Sequence, residues 1–384
     1  MDAPLDTDSA DDALLRLTLA GGALAPRRSL LETFGDPRAV IRAGEHAWRT
    51  HGLETVQCRA LRQPDATLLA RCHAWLREPR HVLLGIHHPD YPPLLRRIAS
   101  PPLSLFVDGD ASALWHPAVA VVGSRSPTAG GRDNADAFGR ALAAAGFCIT
   151  SGLAAGVDTV AHMAALAGDG LTVAVLGTGI DVPYPKANAA LFARIAERGA
   201  VISEYPPGTP ARREQFPSRN RILAGLALGT LVVEAAPRSG ALITARCAAE
   251  AGREVLAIPG SIHNPLARGC HRLIRDGAAL VEDASEVLAA LAPVAAELAD
   301  ALHGRLRAGL APPQDRETSA SGGSGQHDAA HDTLWKALGH DPIPMEHLVL
   351  RTGLTTAELS SILLLMELDG RVAVEHGRYS RNRR

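Results

Sequence analysis

The sequence predicts an α/β protein built on a Rossmann-like, doubly wound parallel sheet, and three observations lead there. Between about residues 118 and 293, short β-branched runs alternate with stretches of helical periodicity, the order that gives parallel strands with helices on both faces. Glycine and small polar residues follow most of these runs, where open parallel sheets place their ligands. The flanking regions differ in texture: short helices joined by glycine turns come before, and a Ser/Gly-rich stretch followed by helices and a ribbon comes after.

Composition narrows the class. The chain has 384 residues, 46% hydrophobic and 21% charged, which suits a globular protein of two or three domains. Its formal net charge is −2, so an anionic partner must be held by a local patch and not by a global field. The five cysteines are scattered, with no C-x-x-C pair, so neither a disulfide framework nor a zinc site is expected. The first residues (MDAPLDTD) are acidic where a signal peptide would be basic, and no apolar run is long enough to span a bilayer. The expected compartment is the cytoplasm.

Residues 1–80 read as a small helical domain of SAM-like or helix-hairpin-helix type. Ala10–Leu19 carries an acidic first turn that suits the helix dipole, and Gly21-Gly22 breaks it. Pro26 restarts a helix that runs to Phe34. Gly35 ends it, Asp36-Pro37 opens another through Ala43, and Pro64–Leu76 is a further amphipathic helix. The Gly21–Ala25 turn is poorly suited to offering paired amides to a phosphate, so packing is expected of this domain more than DNA contact.

Residues 81–293 are expected to form an extended Rossmann-like domain. His87-His88-Pro89-Asp90 invites a metal reading, but adjacent histidines share no helix face and no third ligand stands at useful spacing. No metal is expected. Tyr91–Leu95 and Pro101–Val107 read as a connector feeding an edge strand. Strands are expected at 118–123, 147–151, 171–177, 200–205, 229–235, 253–258 and 278–282, with Phe138 and Leu142 on the buried face of one intervening helix.

Residues 294–328 lose this rhythm and read as a flexible linker, most clearly at Thr318–Gly325 (TSASGGSG). Residues 329–384 recover structure. Helices are expected at Asp332–Leu338, Pro344–Arg351 and Thr355–Asp369, the third with Leu359, Ile362, Leu363 and Met366 on one face. A β-ribbon over Arg371–Ser380 completes a winged helix. The third helix has no Lys or Arg and carries Glu358, Glu367 and Asp369, which phosphates would repel. A protein-contact module is expected, with weaker DNA contact through Arg378, Arg381, Arg383 and Arg384.

The chemistry concentrates in the central loops. Val119–Pro127 (VAVVGSRSP) is a run buried on both faces that ends in Gly123, Ser124 and Arg125. Ser151–Asp158 (SGLAAGVD) puts small residues, Gly152 among them, before a helix. Gly177–Asn188 (GTGIDVPYPKAN) places Lys186 before another, and lacks the third glycine of a dinucleotide fingerprint. Phe216–Arg221 (FPSRNR) sets Arg219 and Arg221 around Asn220, and Ser239-Gly240 stand where a helix amino terminus presents free N–H groups. On one rim, Arg125, Lys186, Arg219, Arg221 and Arg238 would make an anion site larger than one phosphate needs, suited to a polyphosphate backbone. Tyr184 and Phe192 are candidates for base stacking, with core packing the alternative for each. Asp158, Asp181 and Glu234 lie near strand ends without a Ser–His pair or a metal cluster. Asp158 is expected to cap or start a helix and Glu234 to pair with an arginine.

These motifs, with VLAIPG at Val255–Gly260, GCHRLI at Gly269–Ile274 and RSGALITA from Arg238, resemble the DNA-processing protein A (DprA/Smf) family, strongly over about 118–283. The resemblance implies a single-stranded DNA-binding protein of natural transformation that shields incoming DNA and loads the recombinase RecA, without catalysis or cofactor. It carries phosphate binding to Arg125 and Lys186. It also implies a homodimer through the segment His271–Leu280, with the RecA surface nearby and Leu273, Ile274 and Leu280 as a candidate apolar patch. The alternative is a nucleoside-monophosphate phosphoribohydrolase of the lysine-decarboxylase-like family, but PRSGALITA stands where its P-G-G-x-G-T-x-x-E loop would be, with no carboxylate before Glu250. A NAD-dependent oxidoreductase lacks its glycine pattern here.

Overall fold

The computed structural model describes residues 9–309, 334–338, 343–352, 359, 363, 366, 372–375 and 378–381. Five helices open the chain: α1 (Ala10–Leu19), α2 (Leu24–Phe34), α3 (Pro37–Thr50), α4 (Thr55–Arg62) and α5 (Ala66–Leu76). Polar caps start several of them. Ser9 accepts from the Asp12 N–H, and Asp65 from Thr67 and Leu68. The helix expected to end at Ala43 does break at Gly44 (φ 75°), then resumes to Thr50.

Gly21 and Gly22 turn the chain at positive φ, and the carbonyls around them face inward. Gln57 donates to Gly21 and Ala23, while Arg27 donates to Leu17, Thr18 and Gly22. Buried Leu15, Leu17, Leu30, Leu31 and Leu61 join Leu84, Leu105 and Phe106 of the sheet in one continuous core. These helices and the sheet therefore form a single compact unit, which ends at Ala308.

The sheet has nine strands: β1 (His81–Gly85), β2 (Ser104–Gly109), β3 (Ala118–Val122), β4 (Cys148–Ser151), β5 (Thr172–Gly179), β6 (Ala200–Tyr205), β7 (Gly229–Val232), β8 (Glu254–Ala257) and β9 (Ala279–Leu280). Their order is β1-β2-β6-β5-β4-β3-β7-β8-β9. The seven strands from β3 onward pair in parallel, and β1 and β2 pair antiparallel at one end. All seven expected strands form. The stretch read as feeding an edge strand is β2, but it is not the edge. His81–Gly85 folds into β1 and covers it, pairing Val82 with Val107 and Leu84 with Leu105.

Helices fill the crossovers: α6 (Pro93–Arg96), α7 (Ala129–Ala144), α8 (Val157–Ala167), α9 (Ala189–Arg198), α10 (Gln215–Leu226), α11 (Ala241–Glu250), α12 (Arg268–Arg275) and α13 (Ala284–Gly309). Residues 294–309, read as the start of a linker, continue α13 through Pro293. Buried Val287, Leu291 and Leu298 hold it against Leu228 and Leu256, enough to offset the roughly 3 kcal/mol that an internal proline costs.

β3 is buried on both faces as its composition predicts. Ala118, Ala120 and Val122 enter one core cluster, and Val119 and Val121 the other. From β3 the chain builds outward to β6 on one side, then returns to β7 on the other. That reversal makes the carboxyl ends of β3 and β7 the topological switch point, the standard ligand crevice of such sheets.

The second compact unit begins at Gly309. Its described residues include a helix over Met345–Thr352 and a three-stranded sheet of β10 (Ile343–Pro344), β12 (Arg378–Arg381) and β11 (Val372–Glu375), in that order. Leu334, Leu338, Leu348, Leu359, Leu363, Met366 and Val372 form its core. Arg381 of the expected basic tail packs over Trp335, 4.4 Å from the ring centroid, and donates to the Trp335 carbonyl. Ile362, Arg383, Arg384 and the Thr318–Gly325 stretch lie outside the described residues.

Candidate nucleic-acid interface

The rim starts at Gly123. A Cβ there would meet the Val157 side chain and the Glu234 carbonyl, so glycine is what lets the loops after β3, β4 and β7 close together. The Ser124 carbonyl accepts from the Val157 N–H (3.1 Å), and Gly156 (φ 85°) packs on the Ser124–Arg125 backbone. Thus α8 begins directly beneath the Arg125 turn. The Arg125 side chain is exposed, and its guanidinium carbon sits 5.9 Å from the Phe216 ring centroid.

Two asparagine bonds tie the Lys186 turn to the same floor. Asn188 Nδ2 donates to the Leu153 carbonyl and to Thr159 Oγ1, both at 2.9 Å. Lys186 opens a short 3₁₀ turn ahead of α9 and is exposed. Two residues earlier, Tyr184 is 44% exposed, and its ring lies 5.4 Å from that of Phe216. Arg125, Phe216 and Tyr184 therefore form one continuous contact chain that ends beside Lys186. The two cations stand on the same rim, and among the described residues no hydrogen bond or ion pair engages either side chain.

Arg219 and Asn220 do not belong on that rim. Both are buried on α10. Arg219 donates to the Gly152 carbonyl (3.0 Å), to the Val175 carbonyl and to Asn220 Oδ1 (3.2 Å). Burial lowers its pKa to about 10, with Asp158 opposing and Arg125 adding to the drop. It remains charged at neutral pH, as a cation fixed under the floor of the site. Asp158 is raised by burial, against the pull of Arg219, and accepts from the Gly152 and Ala154 N–H groups. It sits in the first turn of α8, the helix-start role expected of it. Arg221 is half withdrawn as well, paired with Glu204 at 2.7 Å. Helix phase explains the difference: Arg219 lies about one turn below the α10 amino terminus and faces the sheet.

Glu234 also departs from expectation. Among the described residues no arginine pairs with it. It accepts from the Thr128 N–H (2.9 Å), Thr128 Oγ1 (2.7 Å) and Asn264 Nδ2 (3.1 Å), stapling the α7 entry to the loop after β7 across the switch point. Ser239 and Gly240 do precede α11, where Ser239 Oγ accepts from the Ala241 N–H. Phe192 packs against the main core, whereas Phe216, read only as the start of a basic motif, is the aromatic at the centre of the rim. The scarcity of aromatics (4%) is the sequence signal that could have singled it out.

In the candidate dimer segment, Leu280 is 47% exposed on β9, the strand at the sheet's end. Leu273 and Ile274 pack partly against the core, and His271 Nε2 lies 2.9 Å from the Gly260 carbonyl oxygen. Of the three apolar residues, Leu280 is the most exposed. A cleft of about 620 Å³ runs from Arg238 and Ser239 along Leu242, Ile243 and Arg246 to Leu273. It lies beside the rim, on the α11–α12 side. Among the described residues no group of His, Cys, Asp or Glu could hold a metal ion, and no helix is long and apolar enough to cross a membrane.

Residues 82–292 match DNA recombination-mediator protein A, and residues 311–378 match the DprA winged helix domain. Protein Smf of Escherichia coli is 41% identical over 313 residues, 81% of this chain and 80% of that protein. DNA processing protein DprA of Streptococcus pneumoniae is 49% identical over 199 residues, 52% of this chain and 70% of that protein. The X-ray structure of DNA processing protein A from S. pneumoniae aligns with a TM-score of 0.65 at 38% identity, covering 72% of this chain and 96% of that one. DNA processing protein A from Helicobacter pylori, whose structural study concerns its single-stranded DNA binding mode, aligns at 0.51 and 26% identity, covering 56% and 96%. With its switch-point rim and these similarities along most of its length, the chain belongs to the DNA recombination-mediator protein A (DprA/Smf) family.

Proposed function

We propose that this protein binds single-stranded DNA without sequence preference along the β3–β5 rim, and passes it to the recombinase RecA in transformation and recombination. One observation carries the reading. Arg125 and Lys186 stand exposed on one rim, joined by Phe216 and Tyr184. Cations that track phosphates beside rings that take bases are what a single strand needs and a buried duplex base cannot use. Arg219 supports the site from below by holding the Gly152 loop and adding fixed positive charge.

The protein acts by binding and not by turnover. Glu250, the first carboxylate after the β7 loop, closes the far end of α11, about 15 Å from the rim. That is too far to serve as the acid or base of a hydrolase. We place the work in the cytoplasm, where the DNA and the recombinase are. A homodimer through the β9 edge and α12 is part of the proposal. So is a recombinase contact at the neighbouring cleft, whose arginines and leucines suit an acidic, partly apolar partner. Leu280→Arg is expected to give monomers in sedimentation. The winged helix is assigned to protein contact.

The test is a titration of the full chain with oligo-dT and with a matched duplex at two salt concentrations. The single strand should bind more tightly, and its affinity should fall with salt at a log–log slope of about 0.7 per phosphate neutralised. Equal affinity for duplex, or binding indifferent to salt, would overturn the proposal.

A further inference from the structure

The rim does not end at Lys186. Beyond β5 the next parallel strand is β6, and the loop after it packs on the Lys186 loop. The Gly208 N–H donates to Asp181 Oδ1 at 2.6 Å, and the Gly179 N–H donates to the Thr209 carbonyl at 2.9 Å. Gly208 has φ 80°, and the guanidinium of Arg71 fills the space a Cβ there would take. Arg71 comes from α5 of the amino-terminal helices, not from the Rossmann-like part of the chain. It is exposed, as are Arg212 and Arg213 in the same loop. Among the described residues no hydrogen bond or ion pair engages the side chain of any of the three. Two carboxylates share the neighbourhood, Asp181 and Glu214, and Asp181 spends one oxygen on the Gly208 N–H.

We infer that the single-stranded DNA track continues from Lys186 across the end of β6 onto α5, with Arg71 as its outer phosphate contact. From Arg125 at β3 to the β6 loop spans three strand spacings, roughly 14 Å; the step from the Lys186 loop to the β6 loop is one of these, about 5 Å, and Arg71 lies beyond it. The helical region then both packs the sheet and lengthens the DNA footprint. Its contribution comes through a side chain of α5 and not through the Gly21-Gly22 hairpin, whose carbonyls are turned inward.

The inference rests on the function proposed above, and the test separates the two. Full-length wild type, Arg71→Glu, Arg71→Lys and Arg125→Ala are titrated with oligo-dT of about 6 and about 20 nucleotides, one near the short end of the footprints of small ssDNA-binding folds and one beyond the long end. Arg71→Glu should weaken the long oligonucleotide roughly tenfold, lower its salt slope by about 0.7 and leave the short one unchanged. Arg71→Lys should keep the affinity and slope of the wild type. Arg125→Ala should weaken both lengths. If Arg125→Ala weakens binding while Arg71→Glu leaves the long oligonucleotide unaffected, the extension is wrong and the site stands. If Arg71→Glu weakens both lengths equally and lowers the melting temperature, Arg71 is a structural prop and the extension is again wrong. Failure of wild type to bind, or no effect of Arg125→Ala, removes the site itself.

Discussion

Two glycine turns in this molecule each have an arginine close by in sequence, and the two arginines have opposite fates. Arg27 follows Gly21-Gly22 and folds back, buried, onto four backbone carbonyls, those of Leu17, Thr18, Gly22 and Ala23. Arg125 follows Gly123 and stands in solvent over Phe216. The difference lies in what the neighbouring backbone has left over. The end of α1 leaves carbonyls of Leu17 and Thr18 that need donors, and a guanidinium with five N–H groups meets that need. At the rim the strand carbonyls are paired within the sheet, and buried Arg219 takes the Gly152 and Val175 oxygens. Among the described residues no acceptor engages the Arg125 side chain, so it is available to a ligand. A cation beside a glycine turn is thus a binding group only where the fold has already satisfied its own acceptors.

Breaking this contrast should give its largest effect at Arg27. Arg27→Ala takes the side-chain donor from the Leu17, Thr18 and Gly22 carbonyls, Ala23 keeping Gln57, and should cost about 2–4 kcal/mol in urea unfolding, with ssDNA affinity unchanged while the protein is folded. Arg125→Ala should do the reverse. Affinity for oligo-dT should drop roughly ten- to a hundredfold, the loss of one charge-assisted contact of about 1.5–3 kcal/mol, while the melting temperature stays put. Lys186→Ala should behave the same way with a smaller drop, since an ammonium meets phosphate as a point charge without a bidentate fork. If either rim substitution destabilised the fold as much as Arg27→Ala does, the contrast would collapse. Phe216→Leu should cost about 1 kcal/mol of ssDNA binding at every salt concentration, with the salt slope unchanged, because stacking carries no charge.

The last effect concerns acid stability and is read only as a slope with pH. His162 is fully buried, its Nδ1 2.7 Å from Thr172 Oγ1, and burial lowers its pKa to about 3. The Thr172 hydroxyl donates to the Ile149 carbonyl, so the imidazole nitrogen facing it is the donor, and the lowered pKa keeps the ring neutral at pH 7. In the unfolded chain this ring takes a proton near pH 6.5. Between about pH 6.5 and 3 the unfolded state binds more protons, so stability falls as pH falls across that window. His162→Gln should flatten this slope whatever it does to stability at pH 7. An unchanged slope in pH-dependent denaturant melts would show that other groups carry the acid sensitivity.

Much of the sheet was legible. β3 could be read from four apolar residues because burial on both faces selects β-branched and small side chains without alternation. The start of α8 near Gly156 and the placing of Ser239-Gly240 before α11 followed from glycine and helix-terminus chemistry. β1 is not legible locally because its short run, HVLLG, comes four residues after a helix and pairs with β2 some twenty residues later. A pairing between distant segments leaves no local periodicity to read. The linker reading of 294–309 failed because proline and alanine look like interruption, while Leu298 finds a partner surface only in the folded core.

The site divides in the same way. Residue order alone determined that glycine turns with Arg125 and Lys186 follow parallel strands, and so share the carboxyl edge, because strand direction fixes where each loop emerges. Only the tertiary structure decided that Arg219 goes under the floor, that Phe216 joins the two cations and that Arg71 reaches Gly208. Those outcomes depend on the phase of a helix against the sheet and on contacts between segments far apart in sequence. Neither is encoded in the spacing of neighbouring residues.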